Sequence, residues 1–224
     1  FALNNSCGRL LGRDFSGGMK WAASAADDVY DVTKAYRRFV GVTGEYVADI
    51  FYAATAEKTF FDWFLHGMGE ASVEGVNLAE KRLGPRSHGY QCLCDVKGAM
   101  TRDAFLVKFG KGHCVCFARQ GDMEVFTARG PWQKEATRPA LIVRKRGERV
   151  FFAAVHDPSG RDVRAAGFAE FDGDGIILEV EGRGYRDRVT IVGLSSEAPK
   201  GKNGVRQGVE ASYSRRHTGR AGKT

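Results

Sequence analysis

Alternation with a period of two residues runs through most of this chain and points away from a helical architecture. In KAYRRFVGV (34–42), Tyr36, Arg38, Val40 and Val42 alternate with Ala35, Arg37 and Phe39. YVADIFYAA (46–54) follows after the glycine turn TGE (43–45), so the two segments predict a β-hairpin. KTFFDWFLH (58–66) puts Phe61, Trp63 and Leu65 on one side and Phe60, Asp62, Phe64 and His66 on the other. With aromatics on both sides, it predicts a strand covered on both faces. Further strand-like runs occupy 89–96, 104–109, 113–119, 123–129, 140–146, 149–156, 163–171, 175–182 and 187–194. RQGD, RKRGER, DGDG and EGRG lie between them and carry the glycine and Asp-Gly chemistry of tight reversals. About a dozen short strands joined in this way predict an all-β fold, an antiparallel β-sandwich, with residues 1–195 as one domain. VEGVNLAEKRL (73–83) is the one segment with fair helical character.

At 224 residues, 43% of them hydrophobic, the chain can bury one sizeable core. No stretch approaches the roughly 20 apolar residues of a membrane-spanning helix, and no membrane partner is expected. The chain begins with Phe1 rather than Met, so a processed chain or a fragment of a longer one is expected. The net charge of +7 is concentrated in residues 200–224, where Lys200, Lys202, Arg206, Arg215, Arg216, Arg220 and Lys223 face only Glu210. Residues 196–224 are therefore read as a basic, solvated, disordered tail. Nucleic acid is not the expected partner, because no groove-reading helix or stacking-aromatic motif accompanies the charge.

Asp62 and His66 would be neighbours on a helix. On a strand, at about 3.3 Å per residue, they stand roughly 13 Å apart, which removes them as a local catalytic pair. His66 remains the catalytic candidate, with a structural strand-end histidine as the simpler reading. Cys92, Cys94, Cys114 and Cys116 form two Cys-x-Cys pairs and are the metal candidates, since structural zinc takes four thiolates. The spacing is shorter than the usual Cys-x₂₋₄-Cys, so buried free thiols are the first reading and a disulfide a further one. Asp172 and Asp174 in FDGDG read as a turn. Arg37, Arg38 and Arg144 are the substrate-binding candidates for an anionic sugar chain, with Lys145 and Arg146 alongside. Alternation sends Arg37 and Arg38 to opposite faces, so a given groove can use only one of them.

YDVTKAYRRFVGVTGEYVADIFYAATAEKTFFDWFLHGMGE (30–70) and RPALIVRKRGERVFFAAVHDP (138–158) resemble the C-terminal β-sandwich of heparinase II/III-like polysaccharide lyases, which include alginate lyases. The likeness spans roughly residues 15–195. It implies β-elimination on a uronic-acid-containing polysaccharide such as alginate or a glycosaminoglycan. A base would take the proton beside the carboxyl, a cation or amide would neutralise that carboxylate, and an acid would protonate the leaving oxygen. It also implies an N-terminal helical toroid as partner, a secreted or periplasmic location, and a divalent metal whose ligands would lie mainly outside this chain. On this reading the chain lacks the full catalytic set by itself. The alternative is a non-catalytic carbohydrate-binding or partner-packing module.

Overall fold

The computed structural model describes residues 7–27, 29–84, 89–133, 136–171, 174–196 and 208–218. Within them the only helical turn is a 3₁₀ turn at Tyr90–Cys92. The strands are β1 (Arg9–Asp14), β2 (Lys20–Ala25), β3 (Thr33–Val42), β4 (Val47–His66), β5 (Ala71–Glu74), β6 (Ala79–Glu80), β7 (Cys94–Thr101) and β8 (Phe105–Phe109). They continue as β9 (His113–Phe117), β10 (Met123–Trp132), β11 (Ala136–Asp157), β12 (Val163–Phe171), β13 (Gly175–Gly182), β14 (Tyr185–Val192) and β15 (Glu210–His217). Eleven strands form one antiparallel sheet in the order β1-β2-β3-β4-β11-β10-β7-β6, from which β9, β8 and β5 branch beside β11. β12-β13-β14-β15 form a second sheet, and the whole is an all-β, sandwich-like fold.

The predicted hairpin is present as β3 and β4, closed by Thr43, whose Oγ1 accepts from the backbone N–H of Glu45 (3.2 Å) and Tyr46 (3.1 Å). One expected reversal, at RKRGER, is absent, and segments read as separate strands run on into one another. Residues 46–54 and 58–66 are one strand, β4, and residues 140–146 and 149–156 are likewise one strand, β11. These two strands pair with each other from Ala140↔His66 to His156↔Val47, so RKRGER, which read as a turn, and the Thr55–Lys58 stretch of β4 are the two sides of one shared bend. There the register shifts between Gly147, opposite Thr59, and Arg149, opposite Ala54. Lys145 Nζ donates to the carbonyls of Gln120 (2.8 Å) and Phe151 (3.0 Å) beside the bend, and burial pulls its pKa down to about 8.

The long ribbon serves two cores. Ala48, Ile50 and Tyr52 of β4 and Phe151, Ala153 and Val155 of β11 pack against Ile176, Leu178 and Val189 of the smaller sheet. Trp63, Leu141, Val143 and Phe152 pack on the other side against Phe105, Val107 and Phe117. Each such side chain contributes on the order of 1.5–3 kcal/mol by leaving water. Asp49, 2% exposed, ties the parts of the ribbon together. It accepts from Arg38 Nε (2.7 Å) and Nη2 (2.6 Å) and from Trp63 Nε1 (3.4 Å), and lies 3.7 Å from His156 Nε2, whose Nδ1 is 3.3 Å from His113 Nε2.

Three more expectations change. Residues 73–83 are not helical: Gly75 sits at φ +90°, and Val73, Val76 and Leu78 face the second core from β5 and the following loop. Phe60 and Phe64 are 57% and 40% exposed, because β3 pairs with β4 only as far as Thr55 and leaves the rest of β4 with β11 alone. Finally, Glu210–His217, expected to be disordered tail, is β15 and pairs along β14. Its basic composition hides an alternation in which Val209, Ala211 and Tyr213 face the first core. Arg215 bonds Glu45 (2.9 and 2.8 Å) and Asp187 (both 2.8 Å), and Asp187, fully buried, also accepts from Tyr46 Oη (3.0 Å) and Tyr213 Oη (2.9 Å). Residues 197–207 and 219–224 of that tail, and Asp172, lie outside the described residues.

Candidate functional site

The even-numbered side of β4 beyond the bend is a sheet face that no second sheet covers among the described residues. Cross-strand neighbours project to the same side. The register therefore aligns Phe60 with Arg146, Asp62 with Arg144 and then Glu124, Phe64 with Ile142 and Phe126, and His66 with Ala140. Arg138 and Gly130 follow, and then Trp132. Only the middle of this face is covered: Leu83, Tyr90, Leu93 and Val96 pack on Phe126 and Ile142. Beside that cover lies a cleft of about 950 Å³, lined by the cations Lys81, Arg82, Lys97 and Arg129 and by the acids Glu70, Glu80 and Asp95.

Asp62 and His66 do not meet, as strand spacing requires. Asp62 is held by Arg144 through two bonds of 2.7 Å and accepts from Tyr90 Oη. Burial and the Asp62 carboxylate push the Tyr90 phenol well above its ordinary range, so it holds its proton tightly. His66 lies over Gly130 of β10, where an added Cβ would come within 2.9 Å of its Cε1, and it packs edge-on against Phe64 at 4.8 Å between centroids. Burial and then the charge of Arg138 depress the imidazole pKa, which favours the neutral ring. His66 Nδ1 and Arg138 Nε are both buried without a hydrogen-bond partner among the described residues. Unpaired buried polar atoms cost about 1–3 kcal/mol each, and two around one spot are what a binding site tolerates. The Arg138 guanidinium lies 4.1 Å over the Trp132 ring.

The other sequence candidates have structural occupations. Arg37, 6% exposed, faces the inter-sheet core and bonds Asp27 (3.0 Å), the Leu194 carbonyl (3.2 Å) and the Ser196 carbonyl (2.5 Å). Arg38 projects from the opposite face, as expected, and is held by Asp49. Arg144 is held by Asp62. The four cysteines are not brought together: Cys114 and Cys116 are buried in β9, while Cys92 and Cys94 are exposed, Cys94 at the cleft. Burial pushes the Cys114 thiol up to about 11 and the Cys116 thiol up to about 12, which keeps both protonated. Among the described residues no group of three or more His, Cys, Asp or Glu side chains is placed to hold a metal ion. Arg138, Trp132 and Tyr90 were not singled out by sequence. Their only signal was alternation carried across three strands, which requires the register.

No family model matches this chain, and no curated protein matches it. Among solved structures it is similar to the crystal structure of heparinase III, with a TM-score of 0.52 and 12% identity over 82% of this chain. The match covers 27% of that chain, so this protein spans about a quarter of the length of the structure it matches. At that identity the likeness is one of fold. Among the described residues no helix is long and apolar enough to cross a membrane.

Proposed function

We propose that this chain is the β-sandwich portion of a polysaccharide lyase acting by β-elimination on a uronic-acid-containing polysaccharide, alginate or a glycosaminoglycan. The observation that carries this reading is the placement of His66 and Arg138 side by side at Gly130, on an open face of a fold like that of heparinase III. Proton abstraction beside a carboxylate needs a neutral base next to a cation without a carboxylate of its own. His66, held neutral, takes the proton from the carbon next to the carboxyl, and Arg138 neutralises the carboxylate as charge moves onto it. The electron pair of the broken C–H bond forms the new C=C bond, and the leaving oxygen departs with the pair of its C–O bond. That oxygen needs a proton from an acid, and Tyr90 is badly suited because Asp62 and Arg144 hold it. The acid therefore belongs to an upstream segment such as a helical toroid, and a secreted or periplasmic location forms part of the same proposal. The locked phenol and the shielded His66 Nδ1 favour one second reading, a module that binds acidic glycan without cleaving it.

The test is ultraviolet detection of unsaturated uronate from alginate, heparin and hyaluronan. The expected outcome is no product from this chain alone, and product from the full gene product that falls at least 100-fold in His66→Ala, the scale of a lost general base. A full gene product inert on all three polymers would refute the lyase reading. Turnover by the chain alone would refute the incomplete catalytic set.

A further inference from the structure

Two guanidinium groups on the open face meet no carboxylate among the described residues, and each lies over an exposed ring. Arg138 is 4.1 Å over Trp132, and Arg146 is 5.2 Å over Phe60. The acids of the same face are already neutralised, Asp62 by Arg144 and Glu124 by Lys81, so the face carries unbalanced positive charge at these two stations. Both rings stand out, Phe60 at 57% and Trp132 at 36% exposure. Each station combines a flat apolar surface with a planar fork of donors shaped for a carboxylate or sulfate. Arg138 and Arg146 are eight residues apart on β11, about 26 Å at roughly 3.3 Å per residue. His66 lies on the face between them, opposite Ala140.

We propose that the two stations are the ends of one track that holds an acidic polysaccharide along the open β4 side of this face, past the exposed Phe64 and beside the cover on Ile142 and Phe126, so that the ligand is recognised as a polymer several sugars long. This rests on the reading that the ligand is an acidic glycan and adds which part of the surface holds it and what length it needs. A disaccharide cannot reach both stations. A polymer that occupies one meets the other at high effective concentration, which raises affinity by roughly 100-fold or more. Beyond Thr55 no further strand pairs with β4 on the side away from β11 among the described residues, so no added strand walls off the track. Single-stranded nucleic acid is disfavoured because its platforms stack successive bases, whereas these rings sit at opposite ends of the face.

The experiment is titration of the chain with alginate, heparin and hyaluronan, each as polymer and as disaccharide, and with oligo-dT at the same ionic strength. It uses wild type, Phe60→Ala and Arg146→Gln. At least one glycan should bind about 100-fold tighter as polymer than as disaccharide. Both variants should bring that ratio down to within a few fold of unity while the disaccharide is still held at the Arg138–Trp132 station and the thermal midpoint stays unchanged. A ratio that survives both variants, a ratio near unity in wild type, or tighter binding of oligo-dT than of any glycan overturns the track. No binding of any acidic glycan overturns the ligand class as well, so the two failures are distinct.

Discussion

At the scale of single residues, what decides whether a cation is available is its cross-strand partner. Arg37, Arg38 and Arg144 were visible in the sequence as cations on strands, but Asp27, Asp49 and Asp62 claim them across hairpins and, for Arg144, across 82 positions. Arg138 escaped notice beside Pro139 and is the guanidinium near His66 that meets no carboxylate among the described residues. Its charge keeps the His66 pKa down together with burial. In Arg138→Gln the His66 titration, followed through its ring proton by NMR, should move upward towards the ordinary value of about 6.5. A titration that stays in place would mean that burial alone holds the ring neutral. His66 itself was legible as the outstanding histidine of its strand; its resting place on Gly130 was not, because that contact depends on which strand lies alongside.

At the scale of elements, alternation identified the β class and most strand positions, and it failed where a polar stretch continues a strand through a bend. It failed also at β15, where composition outweighed pattern. Arginine, serine and glycine suggested a solvated tail, yet Arg215 is the cation that compensates the buried Asp187 and bridges to Glu45 beside the β3–β4 turn. Removing one partner of a buried pair typically costs about 3–5 kcal/mol. Urea unfolding of Arg215→Ala should show a loss of that size, and Arg215→Ala combined with Asp187→Asn should recover part of it. A change below about 0.5 kcal/mol in Arg215→Ala would place β15 outside the cooperative fold.

At the scale of the whole molecule, acid should act through two carboxylates that join separate parts. Burial would raise the Asp49 pKa, but the nearby His156 and the bonds from Arg38 outweigh it and leave the carboxyl below its usual value; the Glu45 pKa is lowered first by its bond to Arg215. With folded values below the unfolded values of about 3.9 and 4.3, the unfolded state binds protons first. Stability from both groups is complete above roughly pH 4.3 and is lost as pH falls through the folded values. Unfolding monitored by tryptophan fluorescence should steepen below that pH, and Asp49→Asn should flatten part of the slope. An unchanged slope would exclude Asp49 as a source of the acid response.

The bend in β11 has a consequence for the meaning of the sequence itself. Before Gly147, odd-numbered residues such as Leu141 and Val143 point into the second core; after Arg149, even-numbered residues such as Val150, Phe152 and Ala154 do so. The strand thus changes phase in mid-course, while β4 keeps its parity, with Ala53 and Trp63 both facing that core. Insertion or deletion of one residue at the bend would turn half of β11 inside out. Any alignment of this chain with a relative must therefore keep the phase of each half separately, or it will set inward side chains against outward ones.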